Sequence, residues 1–439
     1  MSALYKTSPL KCWNKAKEMR GNYYRRYATI KDQGGIRWVG GAWSFDALAK
    51  GLGDDVASLT SEPYGASIAA GDPKFAINCF EACEAHGYAR DLCAYMRAYW
   101  GSVFLNKYAF GGPFPKPDFA LQTGICCSHC KWYQVVSEWE NIPYFGIDIA
   151  TATGRENLKQ HHIDYVANQS LEAIEWLEKV TGRKFDDEKF IQAVLNECRT
   201  TSLWAEICYL NQAVPAPLDE KSMFSLYVHT TLDKTSIEVV DFYEEVLAEV
   251  KERIAEGIAA VPNERCRIIS DSQPPWAFLK LFRYLEEYGA VSIGSYYTYC
   301  LTANWDFERQ PDGHIKLTPA ITPQKKGITI KTREEAARVY AEWNQSKIMY
   351  INFADMHFKT DALISMVKDW KADGAILQFN RGCEGTTLGV PENRLGLLKA
   401  GIPVVAYEGN MGDDREFDEG STLARIDAFM ESMNYKKLN

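Results

Sequence analysis

The stretch AILQFNRGCEGTTLGVPENRLGLLKAGIPVVAYEG, Ala375 to Gly409, decides the fold. AILQFN is a short apolar run bounded by a loop. PENRLGLLKAG opens with a proline suited to a first helical turn, and IPVVAYEG is a second apolar run. Strand, loop, helix and strand make a βαβ unit, and continuous apolar strands belong to a parallel sheet covered on both faces. Upstream, KIMYINF (Lys347 to Phe353) precedes the amphipathic DALISMVKDWKADG, which repeats the unit with KIMYINF as its strand. Leu363, Met366, Val367 and Trp370 there fall on one helical face. Earlier still, RCRIIS (Arg265 to Ser270) reads as a strand, WAFLKLFRYLEEYG as a helix with a glycine stop, and AVSIGSY as another strand.

Ahead of this domain the pattern turns helical. NLKQHHIDYVANQSLEAIEWLEKVTG is one helix. Thr235 and Glu238 have capping-box spacing before a stripe of Tyr243, Val246, Leu247, Val250 and Ile254 that carries a helix to about Ile258. The N-terminal part returns to α/β: FAINCFEACEAHG and LCAYMRAYWGSVFL are helical, DFALQTG is a strand, SHCKWYQVVSEWEN a helix and IPYFGIDIA a strand. VGGAW (Val39 to Trp43) reads as a plain turn. The expected division is an α/β domain over residues 1–154, a helical segment over 155–260 and a second α/β domain over 261–439.

The bulk properties fit that plan. A chain of 439 residues predicts two or three domains, and 46% hydrophobic with 24% charged residues is a globular composition. A net charge of -9 without a long basic run argues against a nucleic-acid partner. No membrane partner is expected either, since the apolar runs are short and MSALYKTSPLKCWNKAKEMR has no apolar signal core. Twelve cysteines in such a chain are expected to stay reduced in the cytoplasm, with Cys198, Cys208, Cys266 and Cys300 as packing.

TGICCSHCKWY (Thr123 to Tyr133) places Cys126, Cys127 and Cys130 at a strand-to-helix junction, and Cys383 stands at another. In open parallel sheets such junctions face the ligand crevice. Three chemistries are open to these thiols. Cys127 and Cys130 form a C-x-x-C without the second pair that a structural zinc site uses. The same pair at a helix start also suits a redox dithiol. Iron-sulfur ligation accepts thiolates from distant loops, because each iron of a cubane takes one protein sulfur. DLCAYMRAYWG, GICCSHCKW and FNRGCEGTTLG each offer one.

Taken together, these loops resemble the family of 2-hydroxyacyl-CoA dehydratases and ATP-dependent benzoyl-CoA reductases. TGICCSHCKWY with FNRGCEGTTLG is most similar to the B-type subunit of benzoyl-CoA reductase, and the likeness runs from about Arg37 to the C-terminus. The resemblance implies two Rossmann-like parallel-sheet domains with a 4Fe-4S cluster between them. It implies ligands Cys93, Cys383 and Cys126, with Cys127 as the alternative to Cys126 and Cys130 outside the set. It further implies one-electron reduction of an aromatic acyl-CoA thioester to a cyclic diene, at a potential near or beyond the low limit of clusters, about -700 mV. Partners implied are a sister subunit with a second cluster, activator subunits that hydrolyse ATP, and ferredoxin as donor. ATP is expected on the partners only, since this chain has no G-x-x-x-x-G-K-[ST] loop.

Near the cluster, Glu62 in SEPYG and His129 beside the thiols are candidate acid–base groups, with an exposed carboxylate and a helix-cap histidine as their ordinary alternatives. Asn380 and Arg381 flank Cys383 and would tune the cluster through hydrogen bonds and charge. Trp43, Trp100 and Trp132 are candidates for an aromatic pocket, against core packing. Three other readings stay open: a 2-hydroxyacyl-CoA dehydratase subunit, a homodimeric electron-transfer protein with a larger fused cluster, and a two-lobed binding protein without catalysis.

Overall fold

The structure, a computed structural model, describes residues 3–152 and 157–438. The division expected between residues 154 and 155 lies outside them. The N-terminal lobe opens with helix α1 (Trp13–Thr29), followed by strands β1 (Ile36–Gly40) and β2 (Val56–Thr60). Helices α2 (Ser61–Gly71), α3 (Pro73–Ala85) and α4 (Ala94–Phe104) then cross to β3 (Phe119–Thr123). Helix α5 (Cys127–Glu140) leads to β4 (Tyr144–Ile147). The strands lie in the order β2-β1-β3-β4, all parallel. Every residue of β3 is buried, as a central strand covered by helices on both faces requires. Neither β1 nor β2 is announced by the sequence pattern, because each is short and β1 runs directly into the glycines of VGGAW.

A helical middle follows: α6 (Gln160–Thr181), α7 (Asp187–Leu210), α8 (Glu220–Tyr227) and α9 (Ile237–Ala255). Gly182 stops α6 in the left-handed region at φ 68°, a conformation that costs glycine little. The cap expected at Thr235 sits one residue on: the Ser236 hydroxyl accepts the Glu238 N–H. Helix α9 also ends at Ala255, not near Ile258, because Gly257 turns left-handed and Ile258–Ala259 pairs with Lys6–Thr7 as a two-residue strand.

The C-terminal lobe contains β5 (Cys266–Asp271), α10 (Lys280–Glu286), β6 (Ala290–Ser295), α11 (Ile348–Ala354), α12 (Met356–Asp369) and β7 (Gly374–Asn380). It continues through α13 (Glu384–Thr387), α14 (Val390–Lys399), β8 (Val404–Gly409) and α15 (Glu419–Ser432). The sheet order is β8-β7-β5-β6, again parallel, so the two lobes share one topology. KIMYINF is helix α11 and not a strand. Ile348 to Asn352 are all buried, and a short run apolar on every side has no period with which to choose between strand and buried helix. Lys347 ahead of it anchors the helix start, its ammonium donating to Asn344 Oδ1 at 2.6 Å.

Candidate active site at the facing ends of two sheets

In each lobe the chain leaves its first and third strands in opposite directions. The loops after β1 and β3, and those after β5 and β7, therefore diverge and open a crevice at the carboxyl ends of the strands. The two crevices face one cavity of about 610 Å3. Cys93, Cys126 and Cys383 line it together with Glu62, His129 and Gln273, within walls that include Trp43, Leu301, Met349 and Phe353.

The three thiols occupy equivalent places. Cys93 is the N-cap of α4, Cys126 of α5 and Cys383 of the one-turn α13. Backbone N–H groups of Tyr95 and Met96 face Cys93, and that of His129 faces Cys126, so free helix-end donors converge on the sulfurs. The Ala94 N–H donates to Gly382 O at 3.1 Å, which ties the first cysteine loop to the third. Gln273 Nε2 donates to Cys383 Sγ at 3.4 Å. Burial pushes the Cys126 thiol up to about 12 and Cys93 upward as well, Cys383 adding to both. Without a cation Cys93 and Cys126 stay protonated; a bound metal centre deprotonates a coordinating thiol outright.

Three thiols from three separate loops are the donor type and number that a cubane with one open iron would take. Among the described residues no three His, Cys, Asp or Glu side chains close to the spacing of one metal ion. The thiols instead surround a shared space, as sulfurs bound to different irons would. Cys127, the first residue of α5, points elsewhere: it is exposed, and its thiol donates to Glu384 Oε2 at 3.3 Å. Cys130 is exposed too, while Cys12, Cys79, Cys83, Cys198, Cys208, Cys266 and Cys300 are buried packing.

Glu62 is not the exposed carboxylate of the ordinary case. It is 8% exposed in the first turn of α2, and its Oε2 accepts the Ala42 N–H at 2.9 Å. Its Oε1 meets Nε2 of His129, which is 4% exposed. His129 Nδ1 is buried without a hydrogen-bond partner among the described residues. Gly41 makes this pairing possible, because a Cβ there would stand 2.5 Å from His129 Cε1 and 2.9 Å from Glu62 Oε1. Arg381 does not face the site: its side chain is about half exposed and ion-paired with Glu408, since the residue follows a strand whose alternation turns it outward. Asn380 does point inward, donating to Gln273 Oε1 at 3.0 Å and accepting from the Gly382 and Met411 N–H groups. Trp43 and Trp132 line the cavity, whereas Trp100 packs edge-on against Trp139 in the core.

Two buried lysines, which the sequence reading missed, clamp the loops. Lys234 donates to the carbonyls of Ala42 (3.1 Å) and Ser44 (2.9 Å), with Asp46 and Glu197 beside it. Lys359 donates to Thr386 O at 2.8 Å and pairs with Asp271 at 2.9 Å. Gln273 was missed as well, and its only signal is its place just past the end of β5.

Fold and site together define a two-lobed α/β protein whose matched sheet ends present three thiols and a buried acid–imidazole pair to one cavity. A family model described as 2-hydroxyglutaryl-CoA dehydratase, D-component, matches residues 73–433, and the chain belongs to that family. The chain is 26% identical to (R)-2-hydroxyglutaryl-CoA dehydratase subunit alpha of Acidaminococcus fermentans over 323 residues, 73% of this chain and 61% of that subunit. It is 25% identical to the (R)-2-hydroxyisocaproyl-CoA dehydratase alpha subunit of Clostridioides difficile, with 96% of each chain covered. It is also 26% identical to the (R)-phenyllactyl-CoA dehydratase alpha subunit of Clostridium sporogenes, over 82% of this chain and 81% of that one. These findings bear out the family expected from the cysteine loops. They point to dehydratases, and special closeness to the benzoyl-CoA reductase B-type subunit is not among them. No helix among the described residues is long and apolar enough to cross a membrane.

Proposed function

We propose that this chain is the alpha-type subunit of an (R)-2-hydroxyacyl-CoA dehydratase and holds a 4Fe-4S cluster through Cys93, Cys126 and Cys383. The observation that carries the reading is the convergence of three helix-capping thiols on an apolar cavity, next to the Glu62–His129 pair. The reaction removes a proton from C3 and the hydroxyl from C2 of the acyl thioester, leaving an enoyl-CoA and water. When bound, a cluster held by three thiolates supplies reversible one-electron chemistry and an iron corner that the protein does not claim.

The chain's own residues do the rest. Glu62 Oε1 stands against His129 Nε2, so a proton on Nε2 would face the carboxylate, and the buried Nδ1 would be left with the lone pair that can take a proton. The Ala42 N–H holds the carboxylate in place, and Lys234 holds Ala42. Apolar walls from Trp43, Leu301, Met349 and Phe353 exclude bulk water from a reactive species. The partners proposed are a sister subunit, supported by the designation of the relatives as alpha subunits, and an ATP-hydrolysing activator fed by ferredoxin.

One observation favours a second reading, reduction of an aromatic thioester: Tyr95, Tyr227 and Tyr297 add aromatic surface to the cavity. Electron stoichiometry separates the two. The assembled enzyme is expected to turn over many 2-hydroxyacyl-CoA molecules per electron supplied. Consumption of reductant in step with benzoyl-CoA, and no turnover of hydroxyacyl-CoA, would replace the first reading with the second.

A further inference from the structure

The cavity cannot enclose a whole acyl-CoA, so the nucleotide end of that substrate must leave through a mouth. Two grooves share residues with the cavity. One, of about 930 Å3, shares Pro63 and Tyr227 and runs outward between α1, α2 and α8, past Phe224 and Trp276 to Arg20 and Phe110. The other, of about 870 Å3, shares Cys126, Phe353 and Gly385 and is walled by Phe379, Glu384 and Leu388.

Charge tells them apart. Coenzyme A ends in a pyrophosphate and a ribose phosphate. The second groove meets those anions with a carboxylate, that of Glu384. The first meets them with Arg20, which is half-buried and has no carboxylate partner among the described residues. That freedom is unusual for an arginine in a groove of this chain: Arg90, Arg381 and Arg415, which line a third groove, are already paired with Glu416, Glu408 and Asp413. The aromatic residues fit the rest of the arm. Phe110 is 48% exposed and stacks on Tyr24 with ring centres 4.0 Å apart, a platform on which an adenine can lie. Trp276 and Phe224 border the path between that platform and the cavity.

We infer that the groove between α1, α2 and α8 receives the phosphopantetheine arm of the acyl-CoA, with Arg20 on the nucleotide phosphates and Phe110 under the adenine. This deepens the dehydratase reading and rests on its acyl-CoA substrate. Entry from this side brings the thioester past Pro63, directly beside Glu62, and leaves the opposite mouth, next to Cys126, free.

The test is equilibrium binding to the full chain purified without oxygen, with butyryl-CoA and S-butyrylpantetheine as probes. Neither carries a 2-hydroxyl, so no turnover is needed. Arg20→Gln is expected to weaken butyryl-CoA about tenfold, the loss of one charge-assisted contact. It should leave S-butyrylpantetheine unchanged. Ala70→Trp, an exposed position on the groove wall, should weaken both probes. Butyryl-CoA binding indifferent to both variants but weakened by Leu388→Asp would overturn this inference alone and move the arm to the other groove. Equal affinity of the wild type for the two probes would overturn the Arg20 and Phe110 contacts. A wild-type chain that binds neither probe would sink the acyl-CoA reading itself.

Discussion

The two lobes have the same strand order and the same crevice between their first and third strands, but they bring different chemistry to the shared cavity. The N-terminal lobe contributes two thiols and the Glu62–His129 pair. The C-terminal lobe contributes one thiol surrounded by neutral hydrogen-bonding groups, with Gln273 donating to its sulfur and Asn380 and the Thr386 hydroxyl bonding to the Gln273 amide oxygen. Topology delivers the loops to one place; loop residues decide which lobe handles protons and which adjusts sulfur. Even the clamps correspond, Lys234 holding the loop after β1 by its carbonyls and Lys359 the loop after β7.

The largest expected effect tests the proton-handling side. Glu62→Gln should lower the dehydration rate of the assembled enzyme by about 100-fold or more, the scale of general-base catalysis, with iron content unchanged. A rate within threefold of wild type would remove the pair from the chemistry. Next come the clamps. Lys359→Met leaves buried Asp271 without its cation and should cost about 3–5 kcal/mol in anaerobic urea unfolding, and Lys234→Met should cost less, because Glu197 keeps Lys347. Only Lys359→Met should also speed iron loss to a chelator, because its carbonyl partner lies in the loop of a ligand. Equal iron loss from both variants would break the assignment of sulfur support to the C-terminal lobe.

Gln273→Leu sharpens the same point, since it deletes the donor to Cys383 and leaves the Asn380 amide only the longer contact to Ser272 Oγ at 3.4 Å. Iron affinity is expected to drop about tenfold, measured by chelator competition. The smallest effect lies in the C-terminal sheet. Glu220, buried between β5 and β6, accepts from the Ser270 and Ser292 hydroxyls, yet burial pushes its carboxyl up to about 7. The folded chain keeps a proton there that the unfolded chain has released, so stability falls as pH rises from about 5 to 7, by at most about 1.4 kcal/mol per unit. Glu220→Gln lacks that slope, and its deficit relative to wild type should shrink across the same window.

The sequence made the scaffold legible where period and punctuation agree. AILQFN, IPVVAYEG, RCRIIS, AVSIGSY, DFALQTG and IPYFGIDIA all contain sheet strands, and the Cys126 and Cys383 loops do stand at strand ends, whereas Cys93 lies between two helices. KIMYINF misled because an all-apolar run has no face to report. Of the site, the three cavity thiols were readable by resemblance, but the burial of Glu62 was not, because it follows from α2 packing beneath a loop that only Gly41 allows so close. Lys234 and Lys359 gave no local sign and Gln273 only its place past a strand end, since each acts through contacts with residues distant in the chain. Arg381 was misplaced by one step of strand alternation.

The most direct measurement is iron and acid-labile sulfide per chain after anaerobic purification, for wild type, Cys126→Ser and Cys127→Ser. About four of each are expected in wild type and in Cys127→Ser, with loss in Cys126→Ser, as one sulfur per ligated iron requires. Iron retained in Cys126→Ser but lost in Cys127→Ser, or an iron-free wild-type chain that still supports dehydration, would contradict the account.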